Sequence, residues 1–256
     1  MRIESSTEPG TPDRPNEDFL SLALPASGHG GVLVLLDGVT PRPGNGDCIH
    51  SVPWFVARLG GALLELSVSR PEMTLSDCLA SAIARTADAH RDTCDLYHQL
   101  TPQATVVTVR WNQDTVEHLV LSDSVLLLEA PDGKITPVLD DRIDRLVAEG
   151  RAVPALRNAE GGFFTAAADP AVVSRAVTGT TPRGDVRAFA ALSDGATRLV
   201  EVFRTDDWAG TFALLRDEGP QTLIRRVRAV EAADPEGRAV PRGKPFDDAT
   251  AALVEL

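Results

Sequence analysis

The hydrophobic pattern of the first hundred residues predicts two strands followed by two helices. Residues 18–24 and 31–36 are short runs rich in apolar side chains and separated by a turn, as expected for paired strands. From 51 to 68, and again from about 75 to 99, apolar side chains recur at every third or fourth position, which is the spacing of one helix face. Thr74, followed three residues later by an aspartate, resembles a capping box, so the second helix should begin there.

Beyond residue 100 the pattern changes to grouped short strands, an irregular stretch and a closing pair of helices. The segment 150–185 is rich in Ala, Gly and Pro without a regular period, so we expect it to be irregular. Because the strands come in groups and do not alternate with helices, the pattern disfavours a parallel sheet and favours an antiparallel sandwich with helices outside. The expected elements are strands at 104–111, 115–121, 124–129, 187–192 and 249–254, and helices at 141–149, 206–217 and 220–233.

Length and composition fit a single globular domain covering residues 1–256, with 43% hydrophobic and 24% charged residues. No apolar run approaches the ~20 residues that a membrane-spanning helix needs. The first residues lack the basic and apolar segments of a signal peptide, so we expect a cytoplasmic protein with no membrane partner. The net charge of -12 disfavours nucleic acid as a partner, because that binding needs a basic surface. The oligomeric state stays open.

The spacing of the cysteines and histidines predicts no metal site of its own. Cys48, Cys78 and Cys94 form no CxxC pair, which indicates neither a disulfide framework nor a thiolate zinc site. No base adjacent to Cys48 suggests a nucleophile. The five histidines show no HxxxH or HExxH spacing, so we expect surface or core positions for them. His50 stays open, because it lies in the loop that follows Asp37.

Acidic residues recur where the predicted strands begin or end. A single aspartate in a turn is commonplace, but a set of five such stretches is not explained by turn formation alone. Mg²⁺ and Mn²⁺ prefer carboxylate, carbonyl and water oxygens, and strand ends can hold those oxygens at one rim of a sheet. The five stretches are Glu17–Asp18, Asp37, Asp123, Asp194 and Asp247–Asp248.

Six short motifs stand in an order that resembles the metal-dependent protein phosphatase (PPM) family, the type-2C serine/threonine phosphatases. The resemblance runs from residue 14 to residue 256, nearly the whole chain. It implies an α+β fold, a four-layer αββα sandwich of two antiparallel sheets flanked by helix pairs, which agrees with the hydrophobic pattern. The motifs are NED at 16–18, LLDG at 35–38, QAT at 103–105, SDS at 122–124, LSDG at 192–195 and DDAT at 247–250.

The resemblance further implies a binuclear Mn²⁺ or Mg²⁺ centre. Asp37 would bridge the two ions. Asp194 and Asp247 would complete the coordination of the first ion. Glu17 and the carbonyl of Gly38 would hold the second ion, largely through oxygen and water.

Two more aspartates receive roles from the resemblance. Asp18 would orient a water molecule held by the metals, and Asp123 would help to bind a third, weaker ion. The implied reaction is hydrolysis of phosphoserine or phosphothreonine in a phosphoprotein substrate. Two ions roughly 3.5–4 Å apart can clamp a phosphoryl group and activate water, so no covalent intermediate is needed. The absence of GxSxG and CxxxxxR motifs agrees with that chemistry.

The sequence also departs from the family pattern around the expected substrate site. No histidine follows Asp37 in DGVTPRPGNGD, so the implied general acid is missing. Ser122 replaces the glycine of the family's GDS motif. Asp13 takes the place of the phosphate-binding arginine, which leaves Arg14 and Arg42 as alternative catalytic residues for holding phosphate.

Two other functions stay open. The same chemistry could act on a small phosphate ester or a specialised metabolite. Alternatively, the chain could be a metal-binding regulatory pseudophosphatase that holds a phosphoprotein without turnover. The Arg-, Pro-, Gly- and Asp-rich composition suggests a bacterial source with GC-rich DNA.

Overall fold

The computed structural model describes residues 1–40, 48–96, 98, 101–151 and 153–256. The strands within these ranges are β1 (Arg2–Glu8), β2 (Asp18–Ala23), β3 (Gly31–Asp37), β4 (Val106–Trp111), β5 (Thr115–Leu121), β6 (Val125–Glu129), β7 (Ile135–Val138), β8 (Val177–Pro182), β9 (Ala188–Leu192) and β10 (Ala249–Glu255). The α-helices are α1 (Val52–Ser69), α2 (Leu75–Asp88), α3 (Arg142–Ala148), α4 (Asp194–Glu201), α5 (Trp208–Glu218) and α6 (Pro220–Ala233).

The strands form two five-stranded sheets in which all neighbouring strands run antiparallel. One sheet has the order β2-β3-β4-β5-β8, and the other has the order β1-β10-β9-β6-β7. The antiparallel sandwich predicted from the hydrophobic pattern is confirmed.

Strand β3 illustrates how the layers are built. Val32, Val34 and Leu36 point to the outer face of their sheet and pack with α1 and α2. The alternate residues, Leu33 and Leu35, point inward and pack against the second sheet. Because successive side chains of a strand face opposite sides, a strand covered on both faces reads as a continuous apolar run. The outer face of the second sheet is covered in the same way by α4, α5 and α6.

Helix α2 is shorter than its periodicity predicted, which was about 75 to 99. Its start agrees, since Thr74 and Asp77 form the expected capping box. The helix ends at Asp88, and the backbone N–H of His90 then bonds to the carbonyl of Ala87 in a turn. Residues 89–96 form turns, with His90 buried and most of the others exposed or half-buried. The prediction of a longer helix was wrong, because this polar stretch has no apolar face to bury.

Four elements, β1, β7, β8 and α4, were not predicted, and each has a weak hydrophobic signal; β7 is an edge strand of only four residues, ITPV. Strands β1 and β8 are edge strands, so each pairs with one neighbour only, and their sequences RIESSTE and VTGTTP are mostly polar. The segment 150–185 was expected to be irregular. It contains β8 and short 3₁₀ turns. Helix α4 begins at Asp194, where Asp-Gly was interpreted as a strand end alone. No helix in the described ranges is both long and apolar enough to cross a membrane.

Candidate metal centre and active site

Asp37 is placed by the pairing of β3 with its neighbours. It is the last residue of β3 and lies directly opposite Asp18 of β2. Its carbonyl accepts the N–H of Thr105 at 2.9 Å, and its own N–H donates to the Thr105 hydroxyl at 3.3 Å. The Thr105 and Ser124 hydroxyls lie 2.5 Å apart. The QAT and SDS motifs therefore fix the backbone that carries Asp37.

The second sheet brings three more aspartates to the same rim. Leu192, the last residue of β9, pairs with the first residue of β6 on one side and with a residue near the start of β10 on the other. Asp194 follows β9, Asp123 precedes β6, and Asp247 precedes β10. Antiparallel neighbours place the end of one strand beside the start of the next, so the three carboxylates converge.

A cleft of about 450 Å³ opens at this rim. Its lining includes five of the residues predicted to bind metal: Asp37, Gly38, Asp123, Asp194 and Asp247. The other charged residues of the lining are Asp140, Asp144, Glu201, Arg157, Arg198, Arg242 and Lys244. The cleft thus combines a cluster of carboxylates with several cations.

Glu17 lies beside the cleft on the segment that leads into β2. The Asp248 carboxylate accepts the N–H of Glu17 and the N–H of Gly10, both at 2.7 Å, and so fixes this segment to the start of β10. The Thr40 hydroxyl donates to the Glu17 carboxylate. Burial raises the pKa of Glu17, and that hydrogen bond acts in the opposite direction.

Gly38 is a glycine for a steric reason. Its N–H donates to the Glu17 carbonyl at 3.1 Å. A Cβ at this position would lie 2.4 Å from that carbonyl oxygen and 2.3 Å from Val52 Cγ1 on the first residue of α1. The backbone after Asp37 therefore passes between the Glu17 segment and α1 only because it carries no side chain.

Asp18 presents one carboxylate oxygen to a partner and leaves the other without one. The Ser193 hydroxyl donates to Asp18 Oδ2 at 2.9 Å. Oδ1 is buried and has no hydrogen-bond partner within the described ranges. Burial raises the pKa of Asp18 to about 7. A buried oxygen of this kind is normally satisfied by water or by an ion.

The cluster of carboxylates is electrostatically strained in the protein alone. Burial raises the pKa of Asp37 well above its ordinary value, and the charge of Asp194 raises it further. Burial likewise raises the pKa of Asp194, of Asp123 and, to about 6, of Asp247. Carboxyls that lie this close cannot all ionise without compensating positive charge.

These residues fit divalent cations. The donor set consists of carboxylate and carbonyl oxygens, which Mg²⁺ and Mn²⁺ prefer. The unpartnered Oδ1 of Asp18 and the raised carboxyl pKa values are both accounted for by cations and water in the cleft.

Sequence reasoning missed the two cations that pair with Asp247. Lys244 Nζ lies 2.6 Å from Asp247 Oδ1, and Arg198 Nη2 lies 3.1 Å from Asp247 Oδ2. Arg198 is buried and is also paired with Glu231 at 2.6 Å. A signal for each existed. Lys244 stands three residues before Asp247, and Arg198 stands four residues after Asp194, one helical turn along α4.

Of the two arginines predicted to bind phosphate, the structure describes only Arg14. Arg14 is exposed on a turn in which its N–H bonds to the Thr11 carbonyl at 3.3 Å, and it is absent from the cleft lining within the described residues. Its charge acts on Glu17. Arg42 lies outside the described residues. The role of either arginine stays a prediction.

The structure brings together four residues whose spacing indicated no metal site. Ligand atoms of Cys48, His50, His90 and Cys94 all lie within 4.8 Å of one another. The expectation that Cys48 has no neighbouring base was wrong, because Nδ1 of two histidines lies within 3.9 Å of its sulfur. His50 belongs to this cluster and is absent from the described part of the cleft lining. The pair Cys48 and His50 is separated from the pair His90 and Cys94 by at least 40 positions, so the sequence showed no local motif.

No protein-family model and no curated protein sequence matches the chain. Solved structures do match. Serine/threonine phosphatase Stp1 from Staphylococcus aureus superposes with a TM-score of 0.65 and 13% identity, covering 99% of this chain and 94% of that one. A bacterial serine phosphatase gives a TM-score of 0.64 and 15% identity over 100% and 97% of the two chains.

The catalytic domain of the serine/threonine protein phosphatase PstP, in complex with two manganese ions, is similar over 99% of this chain and 97% of that one, with a TM-score of 0.58 and 20% identity. These likenesses show that the chain has the fold of the type-2C, or PPM, serine/threonine phosphatases. The four-layer sandwich implied by the sequence motifs is confirmed.

Proposed function

We propose that the protein is a metal-dependent phosphatase that hydrolyses phosphoserine and phosphothreonine in proteins. The observation that carries this proposal is the convergence of Asp37, Asp123, Asp194 and Asp247 in one cleft of a fold shared with serine/threonine phosphatases. Acyl-transfer and cysteine-phosphatase mechanisms find no support, since the sequence lacks their nucleophile motifs.

The proposed ligands follow the resemblance to the phosphatase family, and the convergence of their carboxylates supports them. Asp37 would be shared by two ions, Mn²⁺ or Mg²⁺. Asp194 and Asp247 would hold the first ion, and Glu17, which lies beside the cleft, and the Gly38 carbonyl would hold the second. Asp123, which lines the cleft, would provide a third and weaker site. When bound, two such ions would neutralise the phosphoryl oxygens and activate water as the nucleophile.

The chain's own residues supply orientation and charge. Asp18 Oδ1 has no protein partner in the described ranges, so it can accept a hydrogen bond from the attacking water and orient it. Burial acts to lower the pKa of Lys244, but the Asp247 charge and hydrogen bond outweigh it, so the ammonium stays protonated. Its three N–H groups suit phosphate oxygens, and we assign to Lys244 the role that an arginine plays in related sequences.

The pairing of Lys244 with Asp247 also favours a second candidate function. An ammonium 2.6 Å from one carboxylate oxygen of a proposed metal ligand competes with a metal for that oxygen. If Lys244 keeps the metal from binding to Asp247, the chain is a pseudophosphatase that binds a phosphoprotein without hydrolysing it.

The test is hydrolysis of p-nitrophenyl phosphate with Mn²⁺, with Mg²⁺ and with chelator. We expect metal-dependent turnover, and we expect Asp37→Asn to reduce it by at least about a hundredfold because an amide cannot bridge two cations. Asp132→Asn is the matched control, since Asn suits that exposed hairpin turn equally well. Turnover that is absent with either metal, while a phosphopeptide still binds, would support the pseudophosphatase. Wild-type turnover in Asp37→Asn would remove Asp37 from the site.

A comparison of aryl phosphates with phosphoserine peptides tests which class of substrate the protein hydrolyses. The sequence has no histidine directly after Asp37, and His50 contacts Cys94 and Trp54 instead. Without a side-chain acid, aryl phosphates should react well and phosphoserine peptides more slowly, since general acid catalysis contributes about 10²–10⁴-fold. Equal rates on both substrates would contradict the missing acid. Turnover of small phosphate esters but of no phosphopeptide would favour the metabolite phosphatase.

A further inference from the structure

Outside the acidic cleft, one cluster of side chains has the composition of a metal site. It lies between the chain entering α1, which supplies Cys48 and His50, and the turn after α2, which supplies His90 and Cys94. We propose that these four residues form a tetrahedral zinc site, separate from the binuclear centre. The proposal is independent of the phosphatase activity.

The distances within the cluster are close to those of a bound zinc ion. Cys48 Sγ lies 3.9 Å from His50 Nδ1 and 3.7 Å from His90 Nδ1, and His50 Nδ1 lies 3.4 Å from Cys94 Sγ. With Zn–S near 2.3 Å and Zn–N near 2.05 Å, a tetrahedron requires about 3.6 Å between sulfur and nitrogen. The three measured separations bracket that value. No pair of ligand atoms has to close from more than 4.8 Å.

The surroundings hold the four side chains in place. The His50 ring stacks on Trp54, with ring centroids 3.9 Å apart. The Thr93 hydroxyl lies 3.6 Å from Cys94 Sγ on the other side of the cluster.

His90 points to the same conclusion by its burial. The side chain is 2% exposed, which is unusual for histidine. Its Nε2 is buried without a hydrogen-bond partner in the described part of the chain, so the ring relies on Nδ1, which faces Cys48 Sγ. A thiol is a weak hydrogen-bond partner, whereas a metal ion would satisfy Nδ1 fully.

The donor set selects the metal. Two thiolates and two imidazoles in a closed tetrahedral arrangement are typical of structural Zn²⁺, and hard cations such as Mg²⁺ and Mn²⁺ prefer the oxygen cluster instead. Binding releases one proton from each cysteine thiol, and the two thiolates then balance the charge of Zn²⁺. The site is therefore neutral, which suits its partial burial.

The position of the site assigns it a structural role. It would join the segment before α1 to the segment after α2, two parts of the chain that are 40 residues apart. Val52, two residues after His50, contacts the backbone of Gly38, so the zinc-linked start of α1 supports the backbone that follows Asp37. A disulfide between the two cysteines would join the same segments, but it would leave both Nδ1 atoms without a ligand.

Metal analysis of the purified protein tests the proposal. After the oxygen-ligated ions are removed by a short treatment with chelator, we expect one zinc ion per chain in the wild type and in Asp37→Asn. We expect its loss in Cys48→Ser and in Cys94→Ser, with a Tm lower by about 5 °C or more. Cys78→Ala is the matched control, because that thiol is buried in α2 away from the cluster, and it should retain the zinc.

A cobalt-substituted wild-type protein gives a readout that needs no variant. Tetrahedral Co²⁺ with cysteine ligands shows visible d–d bands and a thiolate-to-cobalt charge-transfer band, whereas an all-oxygen site does not show the charge transfer. His50→Ala should change the d–d bands, and His29→Ala, at an exposed histidine, should not. The proposal is overturned if zinc-supplemented protein retains no zinc, if zinc is lost in Asp37→Asn but kept in Cys48→Ser, or if freshly prepared protein contains a Cys48–Cys94 disulfide.

Discussion

Lys244 is the residue whose contacts differ most from what the motifs predict for the site. Asp247 belongs to the DDAT motif, to which the family resemblance gives a metal-binding role, yet in the structure it is paired with Lys244 and with Arg198. The motif could be identified from the sequence, and Lys244 stands only three residues before Asp247. Arg198 could not be assigned as a partner of Asp247, because the fold brings the two together across 49 positions. Charge at the site is therefore set by residues that carry no motif of their own.

Replacing the lysine separates its two possible effects. In Lys244→Met the ammonium no longer competes for Asp247, so we expect Mn²⁺ to bind more tightly by calorimetry. If Lys244 also holds the phosphate, KM should rise by about tenfold or more, the cost of a lost charged hydrogen bond. Lys134→Met is the control, because Lys134 is the only other lysine in the sequence and lies exposed on a hairpin. Unchanged metal affinity and unchanged KM would exclude both effects.

At the scale of elements, the sequence predicted the helices and strands that have a continuous or periodic set of apolar residues. Strand β3 and helices α1 and α6 agree with their predicted ranges within two residues, because each buries a continuous run or a full apolar stripe. The edge strands β1, β7 and β8 bury less and were missed. The predicted end of α2 was too late in the sequence. After Asp88 the backbone is held by buried contacts of single residues, such as His90, and not by a periodic apolar face.

Helix α1 contains two adjacent glycines with different surroundings. Gly60 packs against β2, and a Cβ there would lie 2.3 Å from the Phe19 ring, whereas a Cβ on Gly61 would meet nothing within 4 Å. We expect Gly60→Ala to destabilise the protein by about 1–3 kcal/mol through overpacking. Gly61→Ala should stabilise it by about 0.5–1 kcal/mol, because alanine loses less backbone entropy in a helix.

Urea unfolding of the two variants beside the wild type measures both effects. The pair is matched in residue type, helix and sequence neighbourhood, so intrinsic helix propensity cancels in the comparison. Equal stability of the two variants would show that α1 does not pack on Phe19 as described.

At the scale of the whole molecule, the buried carboxyls of the acidic cleft affect stability in opposite ways without and with a bound cation. The fold buries carboxyls from both sheets at one rim, and in the protein alone this costs free energy when they ionise. A divalent cation bound in the cleft, as proposed above, would reverse the sign of that cost. Stability should therefore depend on pH in opposite directions without and with metal.

The direction without metal follows from the raised pKa values. Burial raises the pKa of Asp247 to about 6, of Asp18 to about 7 and of Glu201 to about 8, all above the values of the unfolded chain. The folded state thus binds more protons than the unfolded state between about pH 4 and 8. By linkage, the stabilisation is complete below the unfolded-state values and is lost as pH rises through the folded-state values.

We therefore expect the Tm of metal-free protein to fall steadily from pH 5.5 to pH 8. Metal binding needs ionised carboxylates, so the stabilisation by Mn²⁺ should grow over the same range, to roughly 2.7 kcal/mol at a hundredfold excess over the dissociation constant. Thermal unfolding at pH 5.5, 7 and 8, each with Mn²⁺ and after chelation, measures both trends. Asp37→Asn should remove the Mn²⁺ effect and weaken the pH dependence, whereas Asp132→Asn should change neither, which separates the cleft from the general repulsion of a chain with a net charge of -12. A metal-free Tm that rises towards pH 8, or a Mn²⁺ effect that survives in Asp37→Asn, would show that the cleft carboxyls are not the groups that govern stability.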